Sequence, residues 1–456
     1  MDNRKDCRAI LKVSSECCFQ GISQEFTNHL KTVLTIDNPK YLAAQRYGRW
    51  IGKKLLPKLY FYREEEDLFY FPRGFGNQAV SLYRQECGED PEIVDNRQLL
   101  PEISLSFQGE LRPYQEDAVS VVSSRSFGVL EAATGSGKTI MALSVIAKRK
   151  QPTLIVVHSK ELLYQWVERI EQFLGVTAGK IGDGKFDIRP VSVAIVNTAR
   201  KRLADLKGCF GQIIVDECHR VPATLFTDVV SAFESYYMLG LSATAFCRED
   251  GMTKLIYLYM GDRLHSVDIK SLTHSGAVVR PTFIIKETSF VYEFAGDYSK
   301  MIKALVENEQ RNNRISQDIA DVVAKGHAGT ILVVSDRVAH CQLLAEKLAA
   351  HNVETAVLTG KTSSRRRMEI VEEVRNGTIA VLISTLQLIG EGFDCPGLST
   401  LVLATPIKFE GRLLQVVGRI MRPADGKKAQ VIDYQDVLVP LFRKSGMARM
   451  NVFDSW

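Results

Sequence analysis

The sequence predicts an α/β protein with two tandem parallel-sheet domains and a small N-terminal α+β domain. Three observations carry this prediction. From about Phe127 onward, short β-branched apolar runs alternate with helix-like stretches, the alternation starts afresh in the second half, and the first hundred or so residues follow neither rhythm. The 456 residues suit the plan, at about 100 to 200 residues per domain. The boundaries read as 1–108, 109–275 and 276–456.

In the first part, aromatic-rich segments (LYFY, LFYF) are broken by Pro57, Pro72, Gly74 and Gly76, with a short helix expected near Pro39 to Tyr47. In the second, FGVLEAA, PTLIVVH, VSVAIVN, GQIIVDE and YYMLGLSAT read as buried parallel strands. The pattern weakens from Met252 to Ala295, around Pro281, which suits a connector with the join near Leu272 to Arg280. GTILVVS, ETAVLTG, IAVLIST, LSTLVLATP and AQVIDY then form the second strand series. Amphipathic stretches such as HCQLLAEKLAAH and SRRRMEIVEEVRNG lie between them.

Composition excludes several classes. Hydrophobic residues make up 45% and charged residues 24%, ordinary values for a globular chain, so disorder and fibrous repeats fall away. Fifty-eight Lys plus Arg against 53 Asp plus Glu give +5, which permits a polyanion partner without demanding one. The nine Cys include no CxxC pair, so reduced thiols are expected rather than a metal or iron–sulfur site. No apolar run is long enough to span a membrane and the start lacks a secretory h-region, which points to the cytoplasm, or to the nucleoid of a cell.

The chemistry concentrates in ATGSGKT, Ala133 to Thr139, between a strand and a helix-like stretch. Successive N–H groups of Thr134, Gly135, Ser136 and Gly137 and a helix N-terminus suit phosphates there. Lys138 would reach the β and γ groups, and Thr139 would offer its hydroxyl to Mg²⁺. Ala132 stands where the general pattern has its first Gly. A second acidic element, IIVDECH, places Asp216 and Glu217 at the end of an apolar strand. Asp216 suits the same metal and Glu217 suits a general base for water. His219 is expected to couple this loop to SAT, Ser242 to Thr244.

With these elements in this order, Leu111 to Asp433 resembles the superfamily 2 helicases, whose fold is a pair of RecA-like domains. LRPYQ is similar to the adenine-reading motif, ATGSGKT to motif I, HSKELLYQW to motif Ia, DECH to motif II and SAT to motif III. STLQLIGEGFD, Ser384 to Asp394, is similar to motif V and QVVGRIMRP, Gln415 to Pro423, to motif VI. The resemblance implies that Arg112 and Gln115 meet the base and that Gly392 and Asp394 meet the nucleotide. It also implies that Arg419 and Arg422 reach the γ-phosphate and that Gln415 serves coupling. Nucleic-acid contacts are implied at Lys160, Thr198, Arg200, Thr359 to Lys361 and Thr385. Arg365 to Arg367 either join them or form a solvated face. FCRED after SAT, with Arg248, Glu249 and Asp250, resembles the XPB-like branch, although no thumb-like insertion is evident; restriction motors and phage helicases share the motif set.

The function so implied is a nucleic-acid-stimulated ATPase that uses ATP and Mg²⁺ to translocate on or unwind DNA, single-stranded, forked or duplex, with RNA second. DNA repair is one setting. Translocation on duplex without strand separation, in a restriction or defence complex, is the competing enzyme reading. An ATP-switched scaffold that binds a protein partner through residues 1–108 is the reading from another class. The aromatics Tyr60, Phe61, Tyr62, Phe69, Tyr70 and Phe71 suit either a small core or a stacking surface for bases.

Overall fold

The computed structural model describes residues 9–46, 55–219, 223–243, 253–326, 329–390, 397–407, 410–423 and 427–454. The chain divides into two compact units, one of residues 1–132 and 137–266, the other of 133–136 and 267–456. Among the described residues no helix is long and apolar enough to cross a membrane.

The first unit opens with a five-stranded mixed sheet in the order Arg63–Glu65, Leu68–Pro72, Glu16–Gln20, Ile10–Val13, Glu92–Asp95. Its apolar face closes on Phe26 and Leu30 of helix Gln24–Val33 and on Ala79 and Tyr83 of helix Gly76–Cys87. The aromatic run is mostly core: Phe69 and Phe71 are buried beside Phe19, whereas Tyr60 is 58% exposed. The helix expected near Pro39 spans Pro39–Arg46.

This layer is anchored to the rest of the unit by Arg73. Its guanidinium is buried and donates to the carbonyls of Ser14 at 3.2 Å and Ser235 at 2.9 Å. Burial, with nearby Arg97, pulls its pKa down to about 10. At the adjacent Gly74 a Cβ would lie 2.7 Å from the carbonyls of both Tyr257 and Leu258, so only glycine allows the approach.

The larger sheet of the unit is built on β1 (Phe127–Ala132), β2 (Thr153–Val157), β3 (Val191–Ile195), β4 (Gln212–Val215) and β5 (Tyr237–Ser242). They pair in parallel in the order β3-β2-β4-β5-β1. Helices α1 (Pro113–Ser123), α2 (Lys138–Arg149) and α3 (Lys160–Leu174) belong to the same unit. Parallel strands covered by helices are buried on both sides, which is why these runs read as continuous apolar stretches.

The connector is more ordered than its sequence suggests. Arg263–Val267 adds a strand beside β1, and β6 (Thr282–Glu287) begins the sheet of the second unit. A hairpin, Gly179–Gly182 with Lys185–Phe186, extends the far edge beyond β3. Lys185–Phe186, Arg263–Val267 and Thr282–Glu287 lie at sheet edges and are exposed or half-buried over most of their length, so they carry no buried run to read; Gly179–Gly182 is buried but only four residues long.

The second unit continues with α4 (Glu309–Ala324), β7 (Thr330–Ser335), α5 (Val338–Ala350), β8 (Thr355–Leu358), β9 (Val381–Thr385), β10 (Leu398–Leu403), α6 (Glu410–Ile420), β11 (Gln430–Gln435) and α7 (Pro440–Asp454). The six strands are parallel in the order β6-β11-β10-β7-β9-β8. The α/β class and the tandem parallel sheets therefore stand as predicted.

Two buried ion pairs hold the segment that leaves β10. Arg311 donates to both oxygens of Asp436, at 2.7 and 3.2 Å, and to the carbonyl of Ala404 at 2.8 Å. Arg449 pairs with Asp433 and donates to the carbonyl of Ile407 at 3.4 Å. Removing one partner of such a pair strands the other charge. Arg311→Met is expected to cost about 3 to 5 kcal/mol, and Arg311→Met with Asp436→Leu to recover much of it, as read from denaturant unfolding of the full chain.

His340 on α5 is fully enclosed. Its Nδ1 lies 2.9 Å from Ser335 Oγ, and its Nε2 donates to Asn312 Oδ1 at 2.9 Å. Burial, then the Arg311 charge, push its pKa from 6.5 down to about 3. The folded ring stays neutral while the unfolded one takes up a proton below pH 6.5, so stability present above that pH is lost as pH falls toward the folded value. Between pH 7 and pH 5 the loss is about 2 kcal/mol. Chemical denaturation of wild type against His340→Gln should show that difference in slope.

Candidate functional site

Because β1, β2, β4 and β5 are parallel, their C-terminal ends share one edge of the sheet, where open α/β sheets place ligands. From β1 the chain turns through residues 133–137 into α2. Gly135 and Gly137 take φ values of +90° and +81°, and a Cβ on Gly137 would lie 2.5 Å from Gln115 Nε2. The amide of Gln115 thus packs against the loop, while its Oε1 accepts the Arg112 N–H at 2.9 Å. Pro113 in the first turn of α1 sets this entry. Helix α2 starts at Lys138, so its unpaired N–H groups and dipole end face the loop. Lys138 folds back over it, Nζ donating to the Ala132 carbonyl at 2.9 Å. Ser136 is buried and Thr139 half-buried in the first turn of α2.

Asp216 leaves the end of β4 only 6% exposed. Its Oδ1 accepts the Glu217 N–H at 2.9 Å, and its Oδ2 accepts the indole N–H of Trp166 at 2.8 Å. Burial first, then the Glu217 carboxylate, push the Asp216 carboxyl above the usual carboxylate range; the Trp166 bond and the Lys138 charge oppose them. Glu217 itself sits at φ +47°, a left-handed conformation that costs a non-glycine residue roughly 1 to 2 kcal/mol. His219 Nδ1 lies 2.7 Å from Ser242 Oγ at the end of β5 and 3.4 Å from Glu217 Oε2. His219 therefore joins the acidic loop to the next strand end.

Asp216 and Thr139 offer carboxylate and hydroxyl oxygens, the hard ligands Mg²⁺ takes; burial and the neighbouring Glu217 carboxylate make the charged form of Asp216 costly, and a divalent cation held there would lower that cost.

The remaining predicted residues scatter more widely. Thr244, Gly392 and Asp394 lie outside the described residues, as do Arg248, Glu249 and Asp250. Gln415 is buried and Arg419 half-buried on α6, and Arg422 follows that helix, all in the second unit. Lys160 is exposed at the start of α3 and pairs with Asp183 at 2.8 Å. Arg200 pairs with Asp228 at 2.7 Å, beyond the half-buried Thr198. Thr359 is mostly buried and accepts the Lys361 N–H at 3.4 Å, and Thr385 closes β9. Arg365 and Arg366 form ion pairs with Glu369 and Glu373 along their own helix, as a solvated face does. Trp166 and Asp183 were missed, since their roles depend on partners 50 and 23 residues away in sequence.

Residues 108–246 match the family "Type III restriction enzyme, res subunit", and residues 314–424 match "Helicase conserved C-terminal domain". "Probable helicase D10" of Escherichia phage T5 is 29% identical over 368 residues, 78% of this chain and 76% of that one. "DNA 3'-5' translocase XPB2" of Sulfurisphaera tokodaii is 28% identical over 406 residues, 80% of this chain and 90% of its own. Among solved structures, a fragment described as an HsdR subunit of a type I restriction enzyme from Vibrio vulnificus superposes with a TM-score of 0.58 at 19% identity, over 77% of this chain and 68% of that one.

The loop geometry is testable through Gly137→Ala. The added methyl meets both a left-handed backbone and the Gln115 amide. Affinity for a fluorescent ADP should fall at least about tenfold, the effect of about 1.4 kcal/mol of strain.

Proposed function

The chain is a superfamily 2 helicase of the XPB-like and restriction-motor type, an ATP-hydrolysing enzyme, and from that premise we propose that it couples ATP hydrolysis to movement along DNA with separation of the strands. The observation that carries the reading is the convergence of Lys138, Asp216, Glu217 and His219 at neighbouring strand ends, with Gln115 against the phosphate loop.

In this reading the N–H groups of Thr134 to Gly137 and the start of α2 hold the ATP phosphates, and Arg112 and Gln115 meet the adenine. Thr139 and Asp216 would hold Mg²⁺, which would supply charge neutralisation for the phosphates. Glu217 takes a proton from the attacking water. Arg419 and Arg422, with Gly392 and Asp394, act on the same nucleotide from the second RecA-like domain. An arginine so placed is worth roughly 10³ to 10⁵ in rate. Charge that only a second domain can complete makes hydrolysis depend on closure, and repeated closure moves the domains along the track. His219, Ser242, Thr244 and Gln415 relay the state of the nucleotide. Lys160, Thr198, Arg200, Thr359 and Thr385 contact backbone phosphates, which carry no sequence information. Residues 1–108 form an accessory domain for substrate or a protein partner.

DNA is preferred to RNA because more of the similar proteins are described as DNA translocases or DNA helicases than as RNA helicases. Translocation on duplex without unwinding is the second reading, favoured by the match to a restriction subunit. Strand displacement measured beside triplex displacement separates the two. Lys138→Ala and Glu217→Gln should each lower ATP turnover by about 10² to 10⁴, with turnover in the wild type rising on addition of DNA at fixed salt. Turnover retained in either variant would sink the site, and turnover indifferent to nucleic acid would favour an ATP-switched scaffold.

A further inference from the structure

Helix α3 touches both ends of the proposed activity. Its first residue, Lys160, is exposed and ion-paired with Asp183. Two turns further on, Trp166 is 1% exposed against the sheet, and its indole N–H meets Asp216 Oδ2 at 2.8 Å. A buried indole N–H needs an acceptor, because its desolvation is otherwise uncompensated. Here the acceptor is the carboxylate assigned to the metal. The other oxygen, Oδ1, takes the Glu217 N–H at 2.9 Å, so the carboxylate is pinned at both oxygens while each keeps a lone pair for another partner.

The hydrogen bond does two things that apolar packing alone would not. It fixes the plane of the Asp216 carboxylate, and it makes that plane follow the position of α3. The Ser159 hydroxyl caps α3 by accepting the Leu162 N–H at 3.3 Å, which ties the segment bearing Lys160 to the helix body. A polyanion that draws Lys160 away from Asp183 therefore acts on the same rigid rod that holds the carboxylate.

We propose that Trp166 is a positioning residue that aims Asp216, and that α3 is the lever by which a bound nucleic acid reaches the metal-binding end of the ATP site. The inference rests on the reading of Asp216 as a metal ligand and of Lys160 as a track contact. Phenylalanine fills most of the indole's volume and lacks the donor, so Trp166→Phe isolates the hydrogen bond.

Two measurements on the full chain test it. In Trp166→Phe, the Mg²⁺ concentration giving half-maximal binding of a fluorescent ADP should rise about 10- to 100-fold, as for loss of a group that orients a ligand, while ADP affinity without Mg²⁺ stays unchanged. In the wild type labelled with ¹⁵N-tryptophan, the Trp166 indole resonance, assigned by elimination through Trp50→Phe and Trp456→Phe, should move on adding Mg²⁺ with ADP. It should move also on adding a single-stranded oligonucleotide alone. A Mg²⁺ dependence in Trp166→Phe equal to wild type overturns the aiming role. A resonance unmoved by the oligonucleotide overturns the lever, and the wild-type spectrum settles this even if the variant folds poorly. If turnover by the wild type needs no Mg²⁺, the proposed ATP site itself has failed, which is a separate result.

Discussion

Two carboxylates, Asp216 and Glu217, leave the end of a fully buried strand side by side, and the first unit is organised around tolerating them. Like charges at a buried strand end repel each other and resist desolvation, which is why the Asp216 carboxyl is displaced upward. The surroundings answer with an indole N–H, a backbone N–H and a nearby ammonium, each a favourable but incomplete compensation. In the proposed function a divalent cation would relieve what remains of the cost of burying the charged form. The carboxylate pair stays ready only because the parallel strands on either side of β4 fix where it points.

The same logic appears with opposite consequences in the second unit. Arg311 with Asp436 and Arg449 with Asp433 are buried charge pairs, but they are satisfied within the protein and use their spare donors on the carbonyls of Ala404 and Ile407. There the electrostatics are spent on shape. They hold the segment that leads from β10 toward α6, the helix carrying Gln415 and Arg419.

Much of the fold was legible because fully buried parallel strands leave a signature in composition, as in TLIVV at β2 and TILVVS at β7. The edge strands Arg263–Val267 and Thr282–Glu287 were not, since solvated strands mix polar and apolar residues without a run. The phosphate loop and the acidic pair were legible as motifs because their chemistry needs neighbouring backbone groups and side chains in short register. The bond from Trp166 to Asp216 and the ion pairs of Lys160 and Arg200 were not, because they join residues from different elements. The aromatic run at residues 60–71 read two ways, and burial of Phe69 and Phe71 shows that these two rings belong to the core.

By itself the sequence determined the α/β class, the tandem sheets, and the order of the motifs for which the phosphate and metal roles are proposed. Each of these depends on local periodicity or on groups adjacent in the chain. Only the tertiary structure decided that Glu217 lies in a left-handed conformation, that Gln115 is wedged against Gly137, and that a tryptophan 50 residues away donates to the buried aspartate. Those features arise where separate strand ends are brought to one edge, and the forces that decide them, desolvation and hydrogen bonding at a few ångströms, act through space rather than along the chain.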